Sequence, residues 1–312
     1  MEPVAKTKNI NFISTEFLNE KDIKNILESA SEIINSTRSS KSLLRNCKDK
    51  LIFNLFFEPS TRTRTTFEIA ASNLQAKVVN FNIENSSQTK GESLIDTISN
   101  LSAMRADCFI IRHKMSGAAN LIAKHTPNNI GIINAGDGSH AHPTQALVDA
   151  FSVSKKFNNF KKLKLAIVGD ILHSRVARSQ IDVFKKLGIS DIRLIGPETI
   201  LPEEFEKFGV SIHRSIENGI KDVNVIICLR IQNERMSSML LPSKKEYFAL
   251  YGLTKERIKK CSKDLIVMHP GPINRGVEID SAVADSDCSM ILNPVSYGVA
   301  VRMAIINKAL NG

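Results

Sequence analysis

The run Ser60-Thr61-Arg62-Thr63-Arg64 leads into Phe67, Ala70, Ala71 and Leu74, which recur at helical spacing. The pattern predicts a helix with Ser60 as its N-cap and Thr61, Arg62 and Thr63 in its first turn. A helix mouth offers backbone N–H groups and the positive end of the dipole to an anion. Hydroxyls and a guanidinium at that mouth add charge-assisted hydrogen bonds suited to a phosphate. The competing reading is a capped helix with exposed arginines, but the dipole disfavours two arginines in the first turns.

A second group lies in Asp137-Gly138-Ser139-His140-Ala141-His142-Pro143-Thr144-Gln145. Pro143 suits the first position of a helix, with Ala146, Leu147, Ala150 and Phe151 on its buried side. His142 and Gln145 then share the helix mouth, where they could face a carbonyl; a histidine that merely caps the helix fits equally well.

The third group is spread over the second half of the chain. Gly169-Asp170-Ile171-Leu172-His173-Ser174-Arg175 departs from the GxGxxG pattern, so support for a dinucleotide site is weak. Arg175, Arg230 with Gln232, and the turn His269-Pro270-Gly271-Pro272 each follow an apolar run. Two guanidiniums at one sheet edge suit a dicarboxylate, because each grips a carboxylate bidentately. Either arginine alone would also serve in an ion pair. The polar segment Ser86-Ser87-Gln88-Thr89-Lys90-Gly91-Glu92 reads, on its residues alone, as a surface loop.

Short apolar runs alternate with longer amphipathic ones, the signature of parallel sheets covered by helices. Strands are predicted at 51–57, 77–83, 107–113 and 129–136, then at 163–169, 191–196, 223–230 and 264–269. Helices are predicted at 20–36, 63–74, 93–104, 145–157 and 176–187. Four strands per half, bridged by a long helix near 143–157, read as an α/β protein of two doubly wound parallel-sheet domains. The boundaries are 1–142 for the first domain and 150–290 for the second, with a helix near 294–312 returning to the first. Ligands of such sheets sit outside the carboxyl ends of the strands, where all three groups fall.

The chain has 312 residues, 42% hydrophobic and 24% charged, enough apolar material to bury full cores. No run of about 18 apolar residues occurs, which excludes a membrane span. The opening MEPVAKTKNI lacks an apolar signal region, so a cytoplasmic location is expected. Five scattered cysteines without a CxxC pair, and no HExxH, point to neither a disulfide framework nor a metal site. The net charge of +10 raises nucleic-acid binding. Dispersed lysine pairs mixed with acids, with 3 Tyr and no Trp for base stacking, instead fit a field that draws in small anions.

These motifs resemble the aspartate carbamoyltransferase catalytic chains of the aspartate/ornithine carbamoyltransferase superfamily over nearly the whole length. The resemblance is carried by 60–64, Lys90-Gly91-Glu92, Arg112-His113, 142–145, 173–179, Arg230-Ile231-Gln232 and 269–276. It implies transfer of the carbamoyl group of carbamoyl phosphate to L-aspartate in pyrimidine synthesis, with no cofactor, metal, nucleic acid or membrane. Ser60, Thr61, Arg62, Thr63 and Arg112 would hold the phosphate, and Arg112, Thr63, His142 and Gln145 would contact the carbamoyl group. Arg175, Arg230 and Gln232 would bind aspartate beside the Gly271-Pro272 backbone. Ser86 and Lys90 would reach a neighbouring subunit's site in a homotrimer, so that Arg62, Thr63, Lys90, Arg112 and His142 form the catalytic set. Glu58 and Arg235 match positions that link the domains on closure. The family occurs as bare trimers and in assemblies with regulatory chains or a dihydroorotase. An ornithine or other amino-acid carbamoyltransferase is the alternative, but the second ammonium of ornithine would be repelled by Arg175 and Arg230.

Overall fold

The first four apolar runs supply the β-branched and aromatic side chains that a doubly covered parallel sheet needs. In the computed structural model, which describes residues 11–36, 47–81, 92–231 and 243–311, they form β1 (Leu51–Phe56), β2 (Lys77–Phe81), β3 (Cys108–His113) and β4 (Gly131–Asp137). All pairs are parallel, in the order β2-β1-β3-β4. The helices of this half are α1 (Glu20–Asn35), α2 (Thr61–Asn73), α3 (Leu94–Ala103) and α4 (Ala118–His125), and α5 (Pro143–Ser154) follows β4.

Register decides what each sheet face buries. Phe53, Phe109 and Ile132 lie in one row, packed with Ile98 and Leu101 of α3 and Ala119 and Ile122 of α4. Ile52, Cys108 and Gly131 form the next row, on the opposite face. That face is covered by the last helix of the chain: a Cβ on Gly131 would stand 3.1 Å from the Ala309 carbonyl oxygen. A glycine is therefore needed where this helix crosses β4.

The second half carries β5 (Lys164–Val168), α6 (Arg175–Lys186), β6 (Asp191–Ile195), β7 (Ser211–His213), α7 (Ile216–Gly219) and β8 (Val225–Cys228). Then come α8 (Lys244–Tyr251), α9 (Lys255–Ile258), β9 (Ile266–Met268), α10 (Ser281–Ala284) and α11 (Asn293–Asn311). Its sheet is parallel, in the order β7-β6-β5-β8-β9. The described residues thus give five strands here against the four expected. The extra one, β7, is a three-residue edge strand with no fully buried position, too short to show a period in sequence.

By contacts the chain divides into one unit of Met1–Val148 with Val295–Gly312 and another of Asp149–Pro294. The division falls inside α5 and at the start of α11, so α11 belongs mainly to the first unit. There Lys308 Nζ meets Asp22 Oδ1 of α1 at 2.9 Å, and the Arg302 guanidinium lies 5.1 Å from the centre of the Phe67 ring of α2. In the second unit, fully buried Gln180 on α6 donates to Asp149 Oδ2 at 2.5 Å. No described helix is long and apolar enough to cross a membrane.

Burial favours the protonated form of four thiols. Cys108 in β3 and Cys228 in β8 are both pushed well up by desolvation, Cys47 to about 11 and Cys261 to about 12.

Candidate active site

In the first unit, the carboxyl ends of β1, β3 and β4 converge. Arg112 sits one residue from the end of β3, in register with Phe56 of β1. Its Nη2 donates to Glu58 Oε1 at 3.1 Å and its Nη1 to the Ala135 carbonyl at 3.2 Å. The guanidinium is thereby tied to the segment after β1 on one side and to β4 on the other, with its side chain only 12% exposed.

The helix mouth lies two residues beyond Glu58. Ser60 occupies the N-cap position of α2, but its hydroxyl makes no capping bond, which corrects the expectation of a side-chain cap. Among the described residues the hydroxyls of Ser60, Thr61 and Thr63 form no hydrogen bond with the protein, whereas Thr66 Oγ1 turns back to the Arg62 and Thr63 carbonyls. First-turn amides of a helix have no intrahelical acceptor. Arg62 and Arg64 are exposed, Ser60 and Thr63 half-buried.

The loop after β4 is organised by Asp137. This fully buried carboxylate accepts from Gly117 N at 2.6 Å, Asn134 Nδ2 at 2.8 Å and Ala141 N at 3.2 Å, and His140 Nδ1 lies 3.1 Å away. Asp137 also pairs with Ala141 through the backbone and stands opposite His113 in the sheet. His142 is therefore set at the same strand ends as Arg112. It is 5% exposed, its carbonyl accepts from Gln145 N and Ala146 N, and its Nδ1 lies 3.5 Å from Thr144 Oγ1. Gln145 is half-buried one turn into α5.

His113 supports this edge without facing it. Its Nδ1 accepts from Met115 N at 2.9 Å and its ring packs 5.2 Å from Phe57. Burial, with the nearby Lys114 charge adding to it, holds the imidazole below its ordinary value of 6.5. The unfolded chain then takes up a proton near that pH and the folded chain does not, so stability falls as pH drops below about 6.5. His213, also lowered mainly by burial, acts in the same sense. His113→Asn, which keeps an acceptor for Met115 N, is expected to flatten the decline in melting temperature between about pH 7.5 and about pH 5.5; an unchanged slope would contradict this origin.

In the second unit, β5, β8 and β9 are consecutive neighbours, and the remaining candidates follow their carboxyl ends. Gly169 directly follows β5 with φ +129°, and a Cβ there would lie 2.7 Å from the Leu229 carbonyl oxygen, so only glycine allows the two strand ends to approach. Ser174 caps α6 by accepting from Ala177 N at 3.1 Å, which places Arg175 at the first helical position, 4% exposed. Arg230 follows β8 and is half-buried. After β9, His269 Nδ1 accepts from Gly271 N at 2.8 Å and shapes the turn containing the cis Gly271-Pro272 bond. Arg175, Arg230 and this turn therefore share one sheet edge. Ser86, Lys90, Gln232 and Arg235 lie outside the described residues.

The supporting roles of the carboxylates Asp137 and Glu278 carry no sequence signal, because their partners come from more than one segment. Only the family motif marks Arg112 in the sequence. The local signal was a lone arginine ending the apolar run Cys108-Phe109-Ile110-Ile111.

Residues 10–155 match the carbamoyl-P binding domain family of aspartate/ornithine carbamoyltransferases, and residues 161–308 match the Asp/Orn binding domain family of the same enzymes. Among solved structures, the chain is similar to aspartate transcarbamoylase from Trypanosoma cruzi in complex with carbamoyl aspartate and phosphate. Identity is 28%, coverage 99% of this chain and 98% of that one, and the TM-score 0.85. It is likewise similar to that enzyme with carbamoyl phosphate and aspartate, at 27% identity, 98% of each chain and a TM-score of 0.85. With N-(phosphonacetyl)-L-aspartic acid bound, the corresponding figures are 27%, 98% of this chain, 97% of that one, and 0.84.

Proposed function

The chain belongs to the aspartate/ornithine carbamoyltransferase family, and from that premise we propose that it transfers the carbamoyl group of carbamoyl phosphate to the α-amine of L-aspartate. The products are N-carbamoyl-L-aspartate and phosphate, a step toward pyrimidines. The observation that carries this reading is the α2 mouth. Among the described residues its three hydroxyls have no hydrogen-bond partner, and it opens two residues after Glu58, which with the Ala135 carbonyl holds Arg112 in place.

In this reading Ser60, Thr61, Arg62, Thr63 and Arg112 bind the phosphate, and Thr63, Arg112, His142 and Gln145 address the carbamoyl group. The neutral amine of aspartate attacks the carbamoyl carbon, and negative charge gathers on its oxygen. The C–O bond to phosphate then breaks, and the phosphate leaves with the electron pair. Donors aimed at that oxygen are each worth about 3 kcal/mol. Holding both substrates in a reactive geometry contributes up to about 7–11 kcal/mol. The departing phosphate is a sufficient acceptor for the amine proton, so no protein base is assigned.

Arg175, Arg230, Gln232 and the Gly271-Pro272 backbone hold aspartate. A pair of guanidiniums suits two carboxylates and repels the side-chain ammonium of ornithine, which favours aspartate as the acceptor. Ser86 and Lys90 are assigned to a neighbouring subunit's site in a cytoplasmic homotrimer, on the strength of the family motif.

Purified protein is expected to release phosphate from carbamoyl phosphate only when aspartate is present; a preference for ornithine would overturn the acceptor. Inactive Lys90→Ala and His142→Ala chains, once mixed and shown to exchange subunits, should recover activity. Continued inactivity would mean that each chain's site is self-contained.

A further inference from the structure

Glu278 is 2% exposed, and no cation pairs with it among the described residues. An ionised carboxylate at such a depth is costly unless hydrogen-bond donors replace its water. Three do. Oε1 accepts from Ile231 N at 2.9 Å and from Asn274 Nδ2 at 2.8 Å, and Oε2 accepts from Asn274 N at 2.8 Å. Ile231 directly follows Arg230, and Asn274 stands two residues after Pro272. One carboxylate thus ties the segment after β8 to the turn after β9, the two segments that carry the aspartate-side candidates.

Glu278 is itself fixed. Its backbone carbonyl accepts from Leu253 N at 3.0 Å, and the next residue, Ile279, is fully buried and bridged to Leu253. The clamp is therefore referenced to the core of the second unit.

We propose that Glu278 is a positioning residue for the acceptor substrate: its carboxylate sets the separation of the Arg230 segment from the Gly271-Pro272 turn, and hence the width of the aspartate half-site. This rests on the reading of that half-site given above. Glu278→Gln keeps the size but turns one acceptor into a donor that faces an N–H group.

The test is steady-state kinetics with each substrate varied, on enzyme first shown to require aspartate. Glu278→Gln should raise KM for aspartate about tenfold, the scale of one well-made hydrogen bond lost. KM for carbamoyl phosphate should not change, because its contacts are assigned to the first unit. A role confined to stability would lower the yield and melting temperature of folded protein and leave both KM values unchanged, and that result would overturn the proposal. Asn274→Ala, which keeps the backbone donor and removes only Nδ2, covers the case in which Glu278→Gln does not fold. It should raise KM for aspartate by a smaller factor, and an unchanged value in folded Asn274→Ala would count against the clamp. If the parent enzyme showed no dependence on aspartate, the half-site assignment would fail before Glu278 was in question.

Discussion

Arg112→Leu is expected to lower kcat by about 10²–10³, the loss typical when a donor to a developing oxyanion is removed. It should also weaken carbamoyl phosphate binding, because the same guanidinium is assigned to the phosphate. Arg112→Lys should rescue little. The structure uses two arms of the fork, one for Glu58 and one for the Ala135 carbonyl, and an ammonium cannot reproduce that geometry while also facing a substrate. Stability should suffer too. The two side chains are 12% and 19% exposed, so loss of this hydrogen bond to the Glu58 carboxylate costs about 1–3 kcal/mol. Kinetics and denaturant titration of both variants separate these effects; near-normal kcat in folded Arg112→Leu would remove Arg112 from the reaction.

The second large effect belongs to the other unit. Arg175→Ala is expected to raise KM for aspartate about 30-fold to several thousand-fold, since truncating a buried charged partner of a carboxylate costs about 2–5 kcal/mol. Binding of carbamoyl phosphate alone should change little, because its contacts are assigned to the first unit. The residue is 4% exposed at the first position of a helix capped by Ser174, so its loss also leaves a void. Arg175→Met fills more of that void and should lose aspartate binding to the same degree. Calorimetric titration with carbamoyl phosphate, followed by aspartate kinetics, checks the split. Equal damage to both substrates would point to general collapse instead.

The elements most legible in sequence were those whose burial is decided locally. The runs at 51–57 and 107–113 became β1 and β3 because alternating residues meet apolar neighbours on both sheet faces. The helix opened at 60–64 starts where expected because Phe67, Ala70 and Ala71 form one buried stripe. β7 was not legible, since three half-exposed residues at a sheet edge carry no period. Nor were α7, α9 and α10, each four residues long. The same distinction sorts the site. Residues at helix mouths announced themselves through capping and charge, while Glu278 sits 47 residues from the Ile231 amide it holds. Such a bond exists only once the sheet order β8-β9 has brought the two segments together.

The thiols buried within the two sheets have a practical consequence. Cys108 lies in the sheet of the first unit and Cys228 in that of the second, and desolvation keeps each from forming a thiolate. An alkylating reagent modifies only the thiolate of an accessible sulfur, so native protein should label at these positions only during rare openings. Timed alkylation read by peptide mass then gives each half of the molecule its own clock. The rate at Cys108 reports how often one sheet comes apart, and the rate at Cys228 how often the other does.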